Sequence, residues 1–115
     1  MALADKKCEA CTGDTPPLTG AEVAQLLAQV DGWQVDGAGH LRKDFKRKDF
    51  VAAVDLVNAI TSVAEEEGHN PDLHVAWGKV GVELWTHAIN GLSEADFIMA
   101  AKIDRVASAA LASSP

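Results

Sequence analysis

Apolar residues recur at helical spacing in three separate stretches of the chain. The first follows Thr19, which together with Glu22 three residues later forms the signature of a capping box. Its apolar positions are Val23, Leu26, Leu27 and Val30. The second and longest stretch covers 49–67, and the third begins at Ser93, which has Asp96 three residues later. The core stripe predicted for the second helix consists of Phe50, Val54, Val57 and Ile60, with Ala53 and Ala64 beside it.

Four short stretches between these helices are predicted to be strands. They cover 33–35, 40–45, 73–77 and 80–87. The order helix, two strands, helix, two strands, helix predicts an α+β fold, in which a four-stranded antiparallel sheet has helices packed on one face. We expect a single domain over 19–112, preceded by a flexible arm of residues 1–18.

The second pair of strands predicts a hairpin whose register follows from its turn. A two-residue loop with Gly78 first favours a type II′ turn, which would place Trp77 opposite Val80. Alternation then places one apolar set on the core face. This set is Leu73, Val75, Trp77, Val80, Val82 and Leu84. The same register brings His87 opposite the residue after His69, so two histidines far apart in sequence should converge at the open end of the hairpin.

Three consecutive carboxylates, Glu65, Glu66 and Glu67, lie in the last turn before Gly68. The helix dipole disfavours negative charge there by about 0.3–1 kcal/mol for each group, and such violations tend to mark functional sites. A solvated acidic turn explains Glu66 and Glu67. We expect Glu65, one turn before His69, to lean towards that imidazole, because a carboxylate orients an imidazole for proton transfer near neutral pH.

Of the remaining candidates, His74 is expected at the surface, paired across the strands with Glu83. Trp33 and Trp77 are expected in the core. No role is assigned to His40, which begins a strand next to a glycine turn.

Composition and charge exclude several classes of function. A chain of 115 residues, 48% hydrophobic and 23% charged, supports one core. Its net charge of −7 argues against nucleic-acid phosphate as the main partner. The longest apolar stretches are far shorter than the roughly 20 residues of a membrane span, and the N-terminal charges are not followed by the apolar run of a signal peptide. A cytoplasmic protein is the expectation.

The cysteines Cys8 and Cys11 form a C-x-x-C motif that turn-forming residues follow. A structural zinc site needs four ligands, and the chain has no second such motif. A reduced pair without a metal or redox role is therefore favoured over zinc or redox chemistry. A histidine metal site built from His69, His74 and His87 lacks carboxylate or thiolate partners at ligand spacing, so we predict no metal site.

Five motif positions at fixed spacing resemble a known signature. They are Glu65, His69-Asn70-Pro71, Trp77, His87 and Asp96. The neighbouring segments agree with it: Trp77-Gly78-Lys79-Val80, Trp85-Thr86-His87 and Gly91-Leu92-Ser93. With Cys8-Glu9-Ala10-Cys11 included, the likeness spans nearly the whole chain, which resembles the pterin-4a-carbinolamine dehydratases of bacterial type.

The resemblance implies an enzyme that eliminates water from 4a-hydroxytetrahydrobiopterin, the product left by an aromatic amino acid hydroxylase, to give quinonoid dihydropterin. It implies that His69 and His87 transfer protons and that the carboxylates of Glu65 and Asp96 orient these imidazoles. Asp96 serving only as a helix cap is the alternative. The implied substrate-binding residues are Asn70, Pro71, Thr86 and Trp85. Many members have a second histidine where this chain has Asn70. The Asn70 amide can donate and accept hydrogen bonds, but it cannot transfer a proton at neutral pH.

The resemblance also implies a homodimer or a pair of dimers. The physical hint is apolar surface off the core stripe of the last helix, which together with Trp85 needs cover. The positions are Ile98, Met99 and Ile103. Trp85 has two interpretations, a wall for the pterin or part of a subunit interface. A non-catalytic pterin-binding or protein-interaction module is the alternative function, since animal relatives stabilise the dimer of a homeodomain transcription factor, and the retained histidines favour the enzyme.

Overall fold

The computed structural model describes residues 2–8 and 15–113. Its three helices are α1 (Gly20–Leu27), α2 (Phe50–Glu67) and α3 (Glu94–Ser113), and its four strands are β1 (Gln34–Val35), β2 (Leu41–Lys46), β3 (Asp72–Ala76) and β4 (Lys79–Leu84). Two short 3-10 turns cover Leu3–Asp5 and His87–Ile89. The order of elements and the antiparallel sheet confirm the predicted α+β fold.

The helix boundaries follow the capping residues that the sequence supplies. Thr19 and Glu22 bond each other's backbone N–H groups, so the predicted capping box begins α1. The Asp49 carboxylate accepts a hydrogen bond from the Ala52 N–H at 2.8 Å at the start of α2. Gly68 ends α2 in the left-handed conformation, with φ of 66°.

The sheet has the strand order β1-β2-β4-β3, so β4 is central and β3 lies at an edge. Val75 lies opposite Val80, and the predicted pairing of Trp77 with Val80 is wrong. The turn consists of Trp77 and Gly78, and the positive φ of 73° is at the second of these residues, whereas a type II′ turn needs it at the first. The register error is two residues, so the faces stay as predicted.

The burial of the two hairpin strands differs although they share one alternation. Val80, Val82 and Leu84 on β4 are fully buried, as predicted. Val75 and Trp77 are 40% and 73% exposed, so their assignment to the core is wrong. The reason is position, since β3 is covered by a strand on one side only and Trp77 lies beyond the last strand pair.

One face of α2 packs into the core. Its buried residues are Ala53, Leu56, Ile60 and Ala64. Phe50 is predicted to belong to this stripe, and that prediction is wrong. It is the first residue of the helix and is 51% exposed. Leu56 takes the buried position in its place.

Helix α3 is buried on more than one side. It contacts α2, α1 and the Leu3–Asp5 turn. Ile98, Met99 and Ile103 are almost completely buried within the single chain, so the expectation that these residues need cover from a second copy is wrong. The N-terminal turn supplies cover that helical spacing alone did not reveal.

Residues 2–8 lie against α3. Leu3 is buried in the core cluster, and the Lys102 ammonium donates a hydrogen bond to the Ala4 carbonyl at 3.0 Å. The flexible arm over 1–18 stays a prediction. Cys11 lies outside the described residues. No helix in the described ranges is long and apolar enough to cross a membrane.

Candidate active site

His69 is placed by the bend that ends α2. Its backbone N–H donates to the Ala64 carbonyl at 3.2 Å, the hydrogen bond that closes a helix after a left-handed glycine. The bend turns the imidazole towards the start of α3, where Nε2 lies 2.7 Å from Oδ1 of Asp96. One helix end and one helix start therefore meet at this pair.

Asp96 is fully buried, yet both of its carboxylate oxygens are bonded. Besides His69, it accepts hydrogen bonds at Oδ2 from the Thr86 hydroxyl at 2.9 Å and the Ser93 N–H at 3.0 Å. Because the Thr86 proton is donated to Asp96, the Ser93 hydroxyl must donate across the 2.8 Å contact to Thr86 Oγ1. A buried carboxylate is tolerated when its bonds are satisfied in this way.

His87 begins the 3-10 turn that follows β4. The residues on either side of that turn form a short antiparallel bridge, in which the Thr86 N–H donates to the Gly91 carbonyl at 2.8 Å. The His87 ring stacks on the Trp85 indole with centroids 4.2 Å apart. Its backbone and its ring are thus held by different neighbours.

The two histidines line one cavity of about 640 Å³, a volume within the range of small-molecule sites. The lining residues are Cys8, Glu67, Gly68, His69, Asn70, Pro71, Asp72, Trp85, Thr86 and His87. The structure therefore brings together both proposed proton-transfer residues and all four residues implied to bind substrate. Asp96 stands behind His69, and Glu65 is not among the lining residues.

The carboxylates at the end of α2 do not take the places expected from sequence. Glu65 is exposed, and the carboxylate bonded to His69 is that of Asp96. Glu67, expected in solvent, is nearly buried and accepts a hydrogen bond from the Cys8 N–H at 2.8 Å. Its other oxygen lies 3.8 Å from the Lys102 ammonium. Residues two apart on a helix point about 200° apart, so Glu67 faces α3 while Glu65 faces away from it.

Cys8 contributes one wall of the cavity from the N-terminal segment. Its thiol lies 3.5 Å from the Ala95 carbonyl. Burial above all, and then the Glu67 charge, raise the pKa of this thiol to about 12. It therefore stays protonated at neutral pH, where reactive and metal-binding cysteines are thiolates.

Sequence reasoning missed a pair of side chains on the sheet face opposite the helices. His40 Nδ1 lies 2.6 Å from Oε2 of Glu83, and the His40 ring stacks on Trp85 with centroids 4.0 Å apart and planes within 5°. The pairing of β2 with β4 carries the signal, because Leu41 lies opposite Leu84 and the next pair outward is His40 and Trp85. Pairing only strands that are adjacent in sequence does not predict this contact.

One group among the described residues has the makings of a metal site. Donor atoms of Asp36, His40 and Glu83 lie within 4.8 Å of one another. Asp36 already accepts two backbone N–H bonds, and that from His40 is the first cause holding the pKa of its carboxyl below the usual range. The Arg42 guanidinium lies 3.9 Å from its second oxygen. Hydrogen bonding thus accounts for the group, and none of its three residues lines the cavity.

Comparisons with known proteins show the family to which the chain belongs. The family model described as Pterin 4 alpha carbinolamine dehydratase matches residues 16–106. The chain belongs to this family. A relative in Rickettsia canadensis (strain McKiel) is 50% identical over 89% of this chain and 94% of its own. One in Rubrobacter xylanophilus is 44% identical over 90% of this chain and 97% of its own. Both bear the name "Putative pterin-4-alpha-carbinolamine dehydratase".

Solved structures extend the family comparison. A chain described as a transcriptional coactivator/pterin dehydratase from Brucella melitensis aligns with a TM-score of 0.75 and 38% identity, over 79% of this chain and 98% of that one. A pterin dehydratase-like protein described as a RuBisCO assembly factor of the alpha-carboxysome aligns with a TM-score of 0.57 at 23% identity, which shows the shared fold alone. Family membership confirms the resemblance, and with it the dehydratase class that these relatives are named for.

Proposed function

We propose that the protein eliminates water from 4a-hydroxytetrahydrobiopterin to give quinonoid dihydropterin, with no metal or cofactor. The observation that supports this most strongly is the convergence of His69 and His87 on one cavity, with a buried carboxylate behind His69. Two imidazoles can act as acid and base at neutral pH, and each such transfer typically contributes 10²–10⁴-fold.

The hydrogen bond to Asp96 favours His69 as the base. In a neutral His69 whose Nε2–H donates to Asp96 Oδ1, the free Nδ1 is the proton acceptor. We assign it the proton on N5 of the pterin, and the carboxylate then stabilises the imidazolium, as in other acid–base pairs. His87, protonated, gives its proton to the departing 4a-hydroxyl. The C4a–O bond breaks, the N5–H electrons form the C4a–N5 double bond, and water leaves.

The other lining residues have supporting roles in this proposal. Asn70 offers a donor and an acceptor to a pterin edge, and Pro71 and Trp85 offer apolar surface. The Thr86 hydroxyl is engaged with Asp96, which favours a positioning role for that hydroxyl. We assign the orienting carboxylate to Asp96 alone, because Glu65 is exposed and lies outside the cavity lining.

The wider setting also belongs to the proposal. We assign the protein to the cytoplasm, where it would act on the pterin product of an aromatic amino acid hydroxylase. Among the described residues β3 is an edge strand, where Val75 is exposed, and Trp77 is exposed in the adjoining turn. These features support a homodimer or a pair of dimers, because unpaired strand edges and exposed apolar groups favour association.

The test is direct. Purified protein is added to 4a-hydroxytetrahydrobiopterin freshly generated by a hydroxylase, and formation of quinonoid dihydropterin is followed by absorbance with and without a chelator. We expect acceleration that the chelator leaves unchanged, and that is lost in His69→Gln. No acceleration by the wild-type protein would contradict the proposal and, if pterin still binds, would favour the non-catalytic module. Loss of activity on chelation would contradict the metal-free mechanism.

A further inference from the structure

We propose that His40 is a positioning residue for the reaction, which holds the His87 ring in place through Trp85 although it lies outside the residues that line the cavity. The inference rests on the proposed function for its effect on turnover. Its geometric part, a connected stack of the rings of His40, Trp85 and His87, stands on the contacts alone.

The stack has a fixed base at His40. Its Nδ1 is bonded to the Glu83 carboxylate at 2.6 Å, and both side chains are only 16% exposed. This bond restrains the imidazole, because Glu83 belongs to the central strand β4 and His40 directly precedes β2. The backbone N–H of His40 also donates a hydrogen bond to Oδ1 of Asp36 at 2.9 Å, so the backbone at this position is restrained as well.

The orientation is then passed to the next rings by contact. Trp85 lies almost parallel to His40, and His87 lies at 28° to Trp85. Trp85 follows β4 and is half-buried, with part of its side chain packed against the core cluster. An indole that the core covers only in part still has more than one staggered rotamer available. Stacking on His40, together with this core contact, selects one of these rotamers. That rotamer presents the indole surface on which the His87 ring rests.

Trp85 and His87 therefore depend on two independent restraints. The backbone between them is held by Thr86, whose side chain is bonded to Asp96 and whose N–H is bonded to Gly91. That restraint fixes where the His87 backbone lies and leaves the ring free to rotate. The stack fixes the ring. Acid catalysis needs the ring fixed, because small misplacements of a catalytic group reduce turnover strongly.

The chain offers a matched control in His74. This histidine lies on the same sheet face and 3.9 Å from the same Glu83 carboxylate, but it is 63% exposed. No ring contact between His74 and Trp85 occurs among the described residues. His74→Ala removes an imidazole near Glu83 and leaves the stack intact.

The experiment compares His40→Ala, His40→Phe and His74→Ala with the wild type. Turnover is measured as kcat and KM separately, and the His87 ring protons are followed by NMR in protein labelled at histidine, with Trp85→Leu defining their positions without the indole ring current. We expect His40→Ala to lower kcat about 10- to 100-fold, with a smaller rise in KM because Trp85 also lines the cavity, and to move the His87 signals towards those of Trp85→Leu. His40→Phe, which keeps a stacking ring, should recover most of both.

Each outcome decides the proposal. Wild-type His87 signals in His40→Ala would overturn the positioning role whatever the turnover. Equal losses of kcat in His40→Ala and His74→Ala would overturn it too, because the cause would then lie in Glu83. If the wild-type protein has no dehydratase activity, the proposed function fails, while the NMR comparison still decides whether His40 orders His87.

Discussion

The two ends of the sheet depart from the usual distribution of polar and apolar residues in opposite ways. At the cavity end, Thr86, Ser93 and Asp96 are buried and bonded to one another. At the turn end, Trp77 and Phe50 are exposed. The Arg47 N–H, just before α2, donates to the Gly78 carbonyl at 2.8 Å, which holds this end together. Polar groups that are satisfied inside the chain indicate chemistry, whereas apolar groups left outside indicate association.

The largest effect is expected from Asp96→Ala. It leaves the Ser93 N–H, the Thr86 hydroxyl and His69 without their acceptor, and removing one partner from a buried charged network typically costs about 3–5 kcal/mol. The urea midpoint of unfolding and kcat should both fall sharply.

Asp104 provides the control, because it also lies on α3 and accepts hydrogen bonds, from Trp33 at 3.0 Å and Lys43 at 2.7 Å, away from the cavity. Asp104→Ala should lower stability and leave kcat per folded molecule unchanged. A similar loss of kcat in both variants would show that the two regions are not functionally distinct.

The next effect is on turnover alone. His69→Ala and His87→Ala should each lower kcat by about 10²-fold or more, the usual scale for a lost acid or base. Their urea midpoints should stay closer to that of the wild type than the midpoint of Asp96→Ala does. Rates near that of the wild type for both variants would remove the acid–base mechanism.

A smaller effect concerns the N-terminal wall of the cavity. The Cys8 pKa of about 12 means that the folded chain keeps this proton where an ordinary thiol, with a pKa of about 8.5, loses it. Stability should therefore fall as pH rises from about 8.5 towards 12. In Cys11→Ser protein, iodoacetamide should react slowly at pH 8 and faster after Leu3→Ala, which loosens the segment. Equally fast reaction in both proteins would mean that Cys8 is not buried in solution.

The smallest effect on stability is expected at the turn end. Trp77→Ser should change the free energy of unfolding of the single chain by no more than about 0.5 kcal/mol, the usual range for surface positions, and leave kcat unchanged. Light scattering should nevertheless show weaker self-association. A wild-type protein that is monomeric at micromolar concentration would refute the proposed oligomer.

Local sequence rules predicted the elements because the caps and alternation are local. Thr19, Asp49 and Gly68 mark their helix boundaries, and the motif histidines were placed at one end of the hairpin correctly in spite of a register error of two residues. That error arose because glycine is acceptable at either position of a two-residue turn and Trp77 has high strand propensity.

The features that were missed depend on contacts between distant segments. Whether Val75 is buried depends on which strand is at the edge, and α3 packs against an N-terminal turn that is distant from it in sequence. The stack of His40 on Trp85 requires β2 to lie beside β4, a pairing across an intervening helix and strand. The alternation of residues within one strand gives no information on any of these three features.

The double engagement of Asp96 has a consequence for how this family can diverge. The same carboxylate bonds the imidazole of His69 and the N–H of Ser93 at the start of α3. If His69 and His87 transfer protons as proposed, a lineage that gave up dehydration would be released from selection on both, whereas the aspartate would still be needed to bond the start of α3. The histidines are therefore informative markers when descendants are sorted into enzymes and scaffolds, and the aspartate marks only common ancestry.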